Sequence, residues 1–211
     1  MQRPAGKETD ENGVVADHTL RGPAPTIVAI SGSLRRRSLN SAALRAAARA
    51  AARNGFEVAL DESIRALPPF DPDLESGPPE VVHRFRAACE RADAVLLAVP
   101  EYAFGIPGAF KNALDWTVGS LALNRKPVAV LSVAPPGRGG DVRRALERVF
   151  VALDCDVTYH SVPIHATNLV DGEVRDRAIT RELLHVVDAL AGRACARSGD
   201  AERSVSAGRD T

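Results

Sequence analysis

Residues 94–116 read AVLLAVPEYAFGIPGAFKNALDW, and the change of character inside that stretch decides the fold. Its first six residues are a short, unbroken apolar run, as a strand buried on both faces of a sheet requires. Pro100, Gly105, Pro107 and Gly108 then hold off regular structure until a helix begins near Gly108. A strand therefore delivers Tyr102, Phe104 and several backbone amides to the place where a parallel sheet ends. In open α/β sheets ligands bind at that end. Read alone, the stretch is also compatible with a βα turn whose aromatics only pack, and the loop after the first strand must be read beside it.

Working outward, TIVAI (26–30) is the first buried run. SGSLRRRSLN leads from it into SAALRAAARAAARNG, whose Ala, Leu and Arg content favours helix. Asn40 or Ser41 is expected to cap that helix and Asn54-Gly55 to close it. FEVAL (56–60) alternates as a second strand, and the proline-broken ALPPFDPDLESGPP runs on to the helix VVHRFRAACERA (81–92). Beyond the opening stretch, Phe110, Ala113, Leu114 and Val118 lie near one helical face. KPVAVLSVA is a fourth strand, APPGRGG a Gly/Pro loop, and DVRRALERVFVALD a helix that Asp141 can cap. DVTYHSVPI supplies strand five. RDRAITRELLHVVDALAGR is the last helix, with Ile179, Leu183, Val186, Val187 and Leu190 at helical spacing.

This alternation implies an α/β fold, a parallel sheet covered on both faces through right-handed crossovers. The expected strand order is 2-1-3-4-5. Strands one and three are then neighbours, and the crevice between their carboxyl ends is the switch point. SGSLRRRSLN and PEYAFGIP both fall there.

The 211 residues, 45% apolar and 26% charged, suffice for one substantial core. We expect one domain over residues 26–192, with a disordered N-terminal extension at 1–25 and a disordered tail at 193–211. Lys+Arg and Asp+Glu number 27 each, so no net field marks nucleic acid or an anionic membrane as partner. Cys89, Cys155 and Cys195 are too widely spaced for a disulfide framework or a CxxC pair, which fits a reducing cytoplasm. No apolar run reaches transmembrane length, and the N-terminus has no leader-like apolar region.

The first loop offers hydroxyls from Ser31, Ser33 and Ser38, guanidiniums from Arg35 to Arg37, the Asn40 amide, and the amides of a helix N-terminus. A phosphate monoester needs such donors with positive charge and the dipole end, although a Ser/Arg/Asn-rich loop is also a common capping loop. It matches neither GxxxxGK[ST] nor GxGxxG. The loop at 100–108 offers aromatic surface and backbone hydrogen-bonding groups, and SVAPPGRGG (132–140) can let a ring lie against bare backbone. Phosphate at one end and a flat heteroaromatic at the other describe FMN. Such a cofactor carries its own chemistry, so no catalytic side chain is required.

GSLRRRSLN, PEYAFGIPGAFKNALDW and the PxGxGG-like third loop together resemble the NADPH-dependent FMN reductase family of flavodoxin-like proteins, over about residues 26–192. The resemblance implies a flavodoxin-like three-layer sandwich, commonly dimeric or tetrameric. It also implies FMN as cofactor, NADPH or NADH as hydride donor, and a quinone, flavin, azo compound or chromate as small-molecule acceptor. By the same match Ser33, Arg35, Ser38 and Asn40 hold the FMN phosphate, while Pro100, Glu101, Tyr102 and Gly105 line the isoalloxazine. Ser31, Leu34, Leu39, Ala103, Phe104, Pro136 and Gly137 complete the expected site. One position departs from the family pattern, since Ala103 stands where PEYN carries Asn, and Phe104 is expected to stack on the ring or cover it. The alternative functions are an electron-transfer module of flavodoxin type, which the balanced charge disfavours, and a non-catalytic flavin- or ligand-binding protein.

Glu101 fits a contact near the ring or across a subunit boundary as well as it fits a solvated charge. Lys111 is expected to be solvated, and Trp116 to be core or interface. His160 and His165 have no third ligand at a recognisable spacing, so no metal is expected. A phosphatase-type CxxxxxR loop is excluded, because the residues six after the cysteines are Val95, Ser161 and Ala201.

Overall fold

A computed structural model describes residues 24–207. Strands β1 (Thr26–Ser31), β2 (Glu57–Asp61), β3 (Ala94–Ala98), β4 (Pro127–Ser132) and β5 (Asp156–Ser161) form one parallel sheet of order β2-β1-β3-β4-β5. The order and the three-layer, flavodoxin-like arrangement are as expected. Helices α1 (Leu39–Arg53), α2 (Glu80–Arg91), α3 (Gly108–Val118), α4 (Gly140–Ala152) and α5 (Arg177–Ala207) are the crossovers and the C-terminal cover.

The apolar strands alternate between two cores. Ile27, Ala29, Leu96 and Leu131 face α1 and α5, where the alanines of α1 allow close approach. Val28, Ile30, Val95, Leu97 and Val128 face α2, α3 and α4. All of β3 is buried, so the run that opened the sequence reading is the centre of the sheet. Trp116 is fully buried; its indole N–H donates to the Pro68 carbonyl at 2.9 Å, and its ring meets Phe70 edge-on at 5.0 Å. Trp116 is therefore core.

Several local expectations are corrected. Ser38, not Asn40 or Ser41, caps α1, its hydroxyl accepting from the Ser41 amide. Val118 is exposed, because it is the last residue of α3, whose buried face ends at Trp116 and Thr117. The final helix continues past Arg193 to Ala207, since Ala, Arg and Glu in that segment favour helix and a single interior glycine costs only about 1 kcal/mol. The expected tail at 193–211 is thus helical as far as Ala207. Residues 1–23 of the expected N-terminal extension and residues 208–211 lie outside the described residues.

Two short strands, β6 (Leu169–Val170) and β7 (Glu173–Val174), form an antiparallel hairpin ahead of α5. Glu173 anchors it to α1 through ion pairs with Arg45, at 2.7 Å, and Arg49. Burial pushes the Glu173 carboxyl up, but the two guanidiniums outweigh it and hold the group below the usual carboxylate range. Among the described residues no helix is long and apolar enough to cross a membrane.

Candidate active site

The loops after β1, β3, β4 and β5 meet over the carboxyl end of the sheet and enclose a cleft of about 470 Å³, a size that suits a cofactor or small ligand. Gly32 makes the meeting possible. A Cβ there would stand 3.0 Å from Val99 Cγ1, and the Gly32 amide donates to the Ala98 carbonyl at 2.8 Å. The first loop is then tied internally: the Ser31 hydroxyl accepts from Ser33 N at 3.2 Å and Ser41 Oγ at 3.0 Å. Ser33 Oγ also lies 3.4 Å from Tyr102 Oη, joining the first loop to the second.

Ser33, Arg35, Ser38, Leu39 and Asn40 line the cleft from the β1 side. Leu39 and Asn40 belong to the first turn of α1, whose leading amides have no intrahelical acceptors and carry the positive end of the dipole. Asn40 is 7% exposed, and its buried carboxamide oxygen has no hydrogen-bond partner. A buried polar atom without a partner is costly. An FMN ribityl hydroxyl would satisfy that oxygen, and a phosphate would meet the α1 amides and the Arg35 guanidinium. The residues present therefore fit FMN.

Pro100, Glu101 and Tyr102 form the next part of the wall. The Glu101 carboxylate is neither solvated nor free: Oε2 accepts from the amides of Asp141 at 3.0 Å and Val142 at 3.1 Å. It caps α4 from forty residues away. Asp141, expected in that role, sits one residue inside the helix and pairs with Arg144 instead. Gly139, the residue preceding α4, has φ +85°, and a Cβ on it would lie 3.0 Å from Ser132 Oγ, so only glycine suits this position.

The remaining predicted residues fall elsewhere. Ser31 and Leu34 line an adjoining cavity of about 500 Å³ between the first loop and the end of β2. Ala103, Phe104, Gly105, Pro136 and Gly137 are not part of the cleft lining. Ala103 and Phe104 are the two central residues of a tight hairpin turn, at φ 47° and 59°, closed by paired hydrogen bonds between Tyr102 and Gly105. Phe104 projects from the turn 80% exposed; it neither covers nor lines the cleft.

Sequence reasoning missed Val99, Val133, Pro135 and Arg138, as well as Ile164, His165 and Ala166 after β5. The third loop reaches the cleft through residues on either side of the expected Pro136 and Gly137. The β5 contribution was signalled only by topology, since strand five adjoins strand four. Lys111 pairs with Asp115 at 2.6 Å on α3. Among the described residues no group of three potential ligands could hold a metal ion. Burial pushes the thiols of Cys89 and Cys155 up to about 12, so neither is a nucleophile.

Comparison with known proteins agrees with this geometry. The family model described as NADPH-dependent FMN reductase matches residues 25–168. A quinone reductase of Pseudomonas putida is 37% identical over 134 residues, 61% of this chain and 71% of its own length. A probable NADPH:quinone oxidoreductase of Oryza sativa is 33% identical over 171 residues, 74% of this chain and 87% of its own. The solved structure of FerB, a flavoenzyme NAD(P)H:(acceptor) oxidoreductase from Paracoccus denitrificans, is 31% identical. It superposes with a TM-score of 0.64 over 80% of this chain and 96% of that one. With two thirds of its length under one model, the chain belongs to the NADPH-dependent FMN reductase family.

Proposed function

We propose that this protein is an NAD(P)H-dependent FMN reductase acting on quinone-like acceptors, with residues 26–192 as the FMN-binding unit. The observation that carries the reading is the buried, unpartnered Asn40 oxygen at the first turn of α1, inside the cleft lined by the loops after β1, β3, β4 and β5. Relatives named quinone reductase and NADPH:quinone oxidoreductase support the choice of acceptor.

Bound FMN would supply the redox chemistry, taking a hydride from NAD(P)H and passing electrons to the acceptor. The chain's own residues bind and orient. Arg35, the Ser38 region and Asn40 take the phosphate end, where charge-assisted hydrogen bonds are strongest. Val133 and Ile164, both buried, give the cleft an apolar boundary that limits water near the ring. Glu101 fixes the wall rather than moving protons, because the amides of α4 engage it. One shared open face for donor and acceptor implies alternating occupancy. A homo-oligomer in the cytoplasm is the corresponding cellular form.

The deciding experiment loads purified protein with FMN, desalts it, records the visible spectrum and adds NADPH without oxygen. Retained flavin absorbance that bleaches is the expected result, and a colourless protein would overturn the proposal. In steady state, NADPH and a benzoquinone should give parallel double-reciprocal lines. Arg35→Ala should weaken FMN binding about tenfold or more, since such a contact contributes roughly 1.5 to 3 kcal/mol.

A further inference from the structure

A second concavity lies on the α1/α5 face and shares no lining residue with the FMN cleft. It measures about 390 Å³ and is bordered by Arg49 and Arg53 of α1, Arg175 before α5, and Arg177 and Arg181 in the first turns of α5. Ala50, Val174 and Leu184 supply apolar wall between them. Of the five guanidiniums, Arg49 alone is paired with a carboxylate among the described residues, and it shares Glu173 with Arg45. Asp176, between Arg175 and Arg177, is committed to capping: its Oδ1 accepts from the amides of Ala178 and Ile179.

Several helix charges elsewhere pair one turn apart, as in Glu80–Arg84, Lys111–Asp115 and Arg143–Glu147. Here Arg49 and Arg53, and again Arg177 and Arg181, repeat the same charge at four-residue spacing, which destabilises a helix. The two rows flank one pocket. In a chain with 27 residues of each sign, the local excess of positive charge is a matter of placement and not of composition. Guanidinium side chains bordering one pocket from two helices suit linked phosphate groups, which can take several bidentate contacts at once and relieve the repulsion.

We propose that this pocket binds a chain of two or more linked phosphates, carried by a nucleoside di- or triphosphate or present as inorganic polyphosphate. The test titrates sodium tripolyphosphate, ATP and sodium sulfate, at matched ionic strength, into the full-length FMN-loaded protein by isothermal calorimetry. Tripolyphosphate should bind once per chain and at least tenfold more tightly than sulfate. ATP binding tighter than tripolyphosphate identifies the nucleotide as the source, and equal or weaker binding identifies the bare phosphate chain.

R53E/R181E should lose at least tenfold in tripolyphosphate affinity while keeping its flavin spectrum, and the charge-neutral R53Q/R181Q should lose affinity in the same direction if the reversal does not fold. Glu173→Gln, which frees Arg49, should bind tripolyphosphate more tightly. Tripolyphosphate binding no better than sulfate, or unaltered by both double substitutions, would overturn the proposal. So would competition with NADPH that persists in R53E/R181E, because it would place the anion in the cleft.

Discussion

Two tight turns in this protein share one backbone shape and almost nothing else. Asp171 and Gly172, at φ 53° and 77°, connect β6 to β7, while Ala103 and Phe104, at φ 47° and 59°, connect Tyr102 to Gly105 at the mouth of the cleft. Both place two consecutive residues in the left-handed region, the signature of a type I′ hairpin, for which Asp-Gly is a preferred sequence and Ala-Phe is not. The first turn is built by its own residues. The second is held by its surroundings, through the Tyr102–Ser33 contact on one side and the start of α3 on the other. Leu121, Arg125 and Asp154 also take positive φ away from the cleft, but singly; among the described residues only these two turns place two in succession there, and paired strain at a binding-site lip is expected of functional backbone.

The comparison can be broken most severely by exchanging the turns. D171A/G172F should cost about 2 kcal/mol in urea denaturation, because an L-residue in the left-handed region costs roughly 1 to 2 kcal/mol and the exposed hairpin has little to compensate it. The reverse exchange, A103D/F104G, should recover about 1 to 2 kcal/mol by the same principle. An unchanged urea midpoint would mean that the cleft loop is not strained.

Glu173→Gln probes the anchor of the unstrained turn. It should cost about 1 kcal/mol at neutral pH, where charge-assisted pairs with Arg45 and Arg49 are lost. The carboxyl's pKa is lowered by folding, so its contribution is complete above the ordinary glutamate pKa and disappears as pH falls through the folded value. Wild type and variant should therefore converge in acid, and a constant gap down to pH 3 would refute the pairing. Phe104→Ser is the mildest change. It keeps the left-handed backbone and removes only an exposed ring, so stability should move by less than about 0.5 kcal/mol. FMN affinity should stay within twofold, and a larger loss would bring Phe104 back to the cofactor.

The same two turns mark what could be read from the sequence. The sheet order was legible because TIVAI, AVLLAV and PVAVLS are apolar runs too short for helices and too continuous for exposed strands, and burial on two faces leaves little else for them to be. Asp171-Gly172 carries a local turn signal, but its two-residue strands are too short to show alternation, and the hairpin went unread. Ala103-Phe104 could not be read, since its conformation is imposed by distant contacts against local preference. The caps divide in the same way. Ser38 is a local cap next to the residues expected for that role, whereas Glu101 reaches α4 across the sheet edge. Of the first loop, Ser33, Arg35, Ser38, Leu39 and Asn40 line the cleft while Ser31 and Leu34 line its neighbour; the third loop was legible only as a place, and the loop after β5 not at all.

The reach of Glu101 also constrains how anything enters or leaves. One carboxylate fastens the segment after β3 to the head of α4, so those two lips travel as a single piece and cannot part without exposing both amides. The weaker tie lies on the other side, where the first loop meets Tyr102 through a hydroxyl contact of 3.4 Å. The molecule has one fixed jaw and one latch, and the latch is the weaker bond.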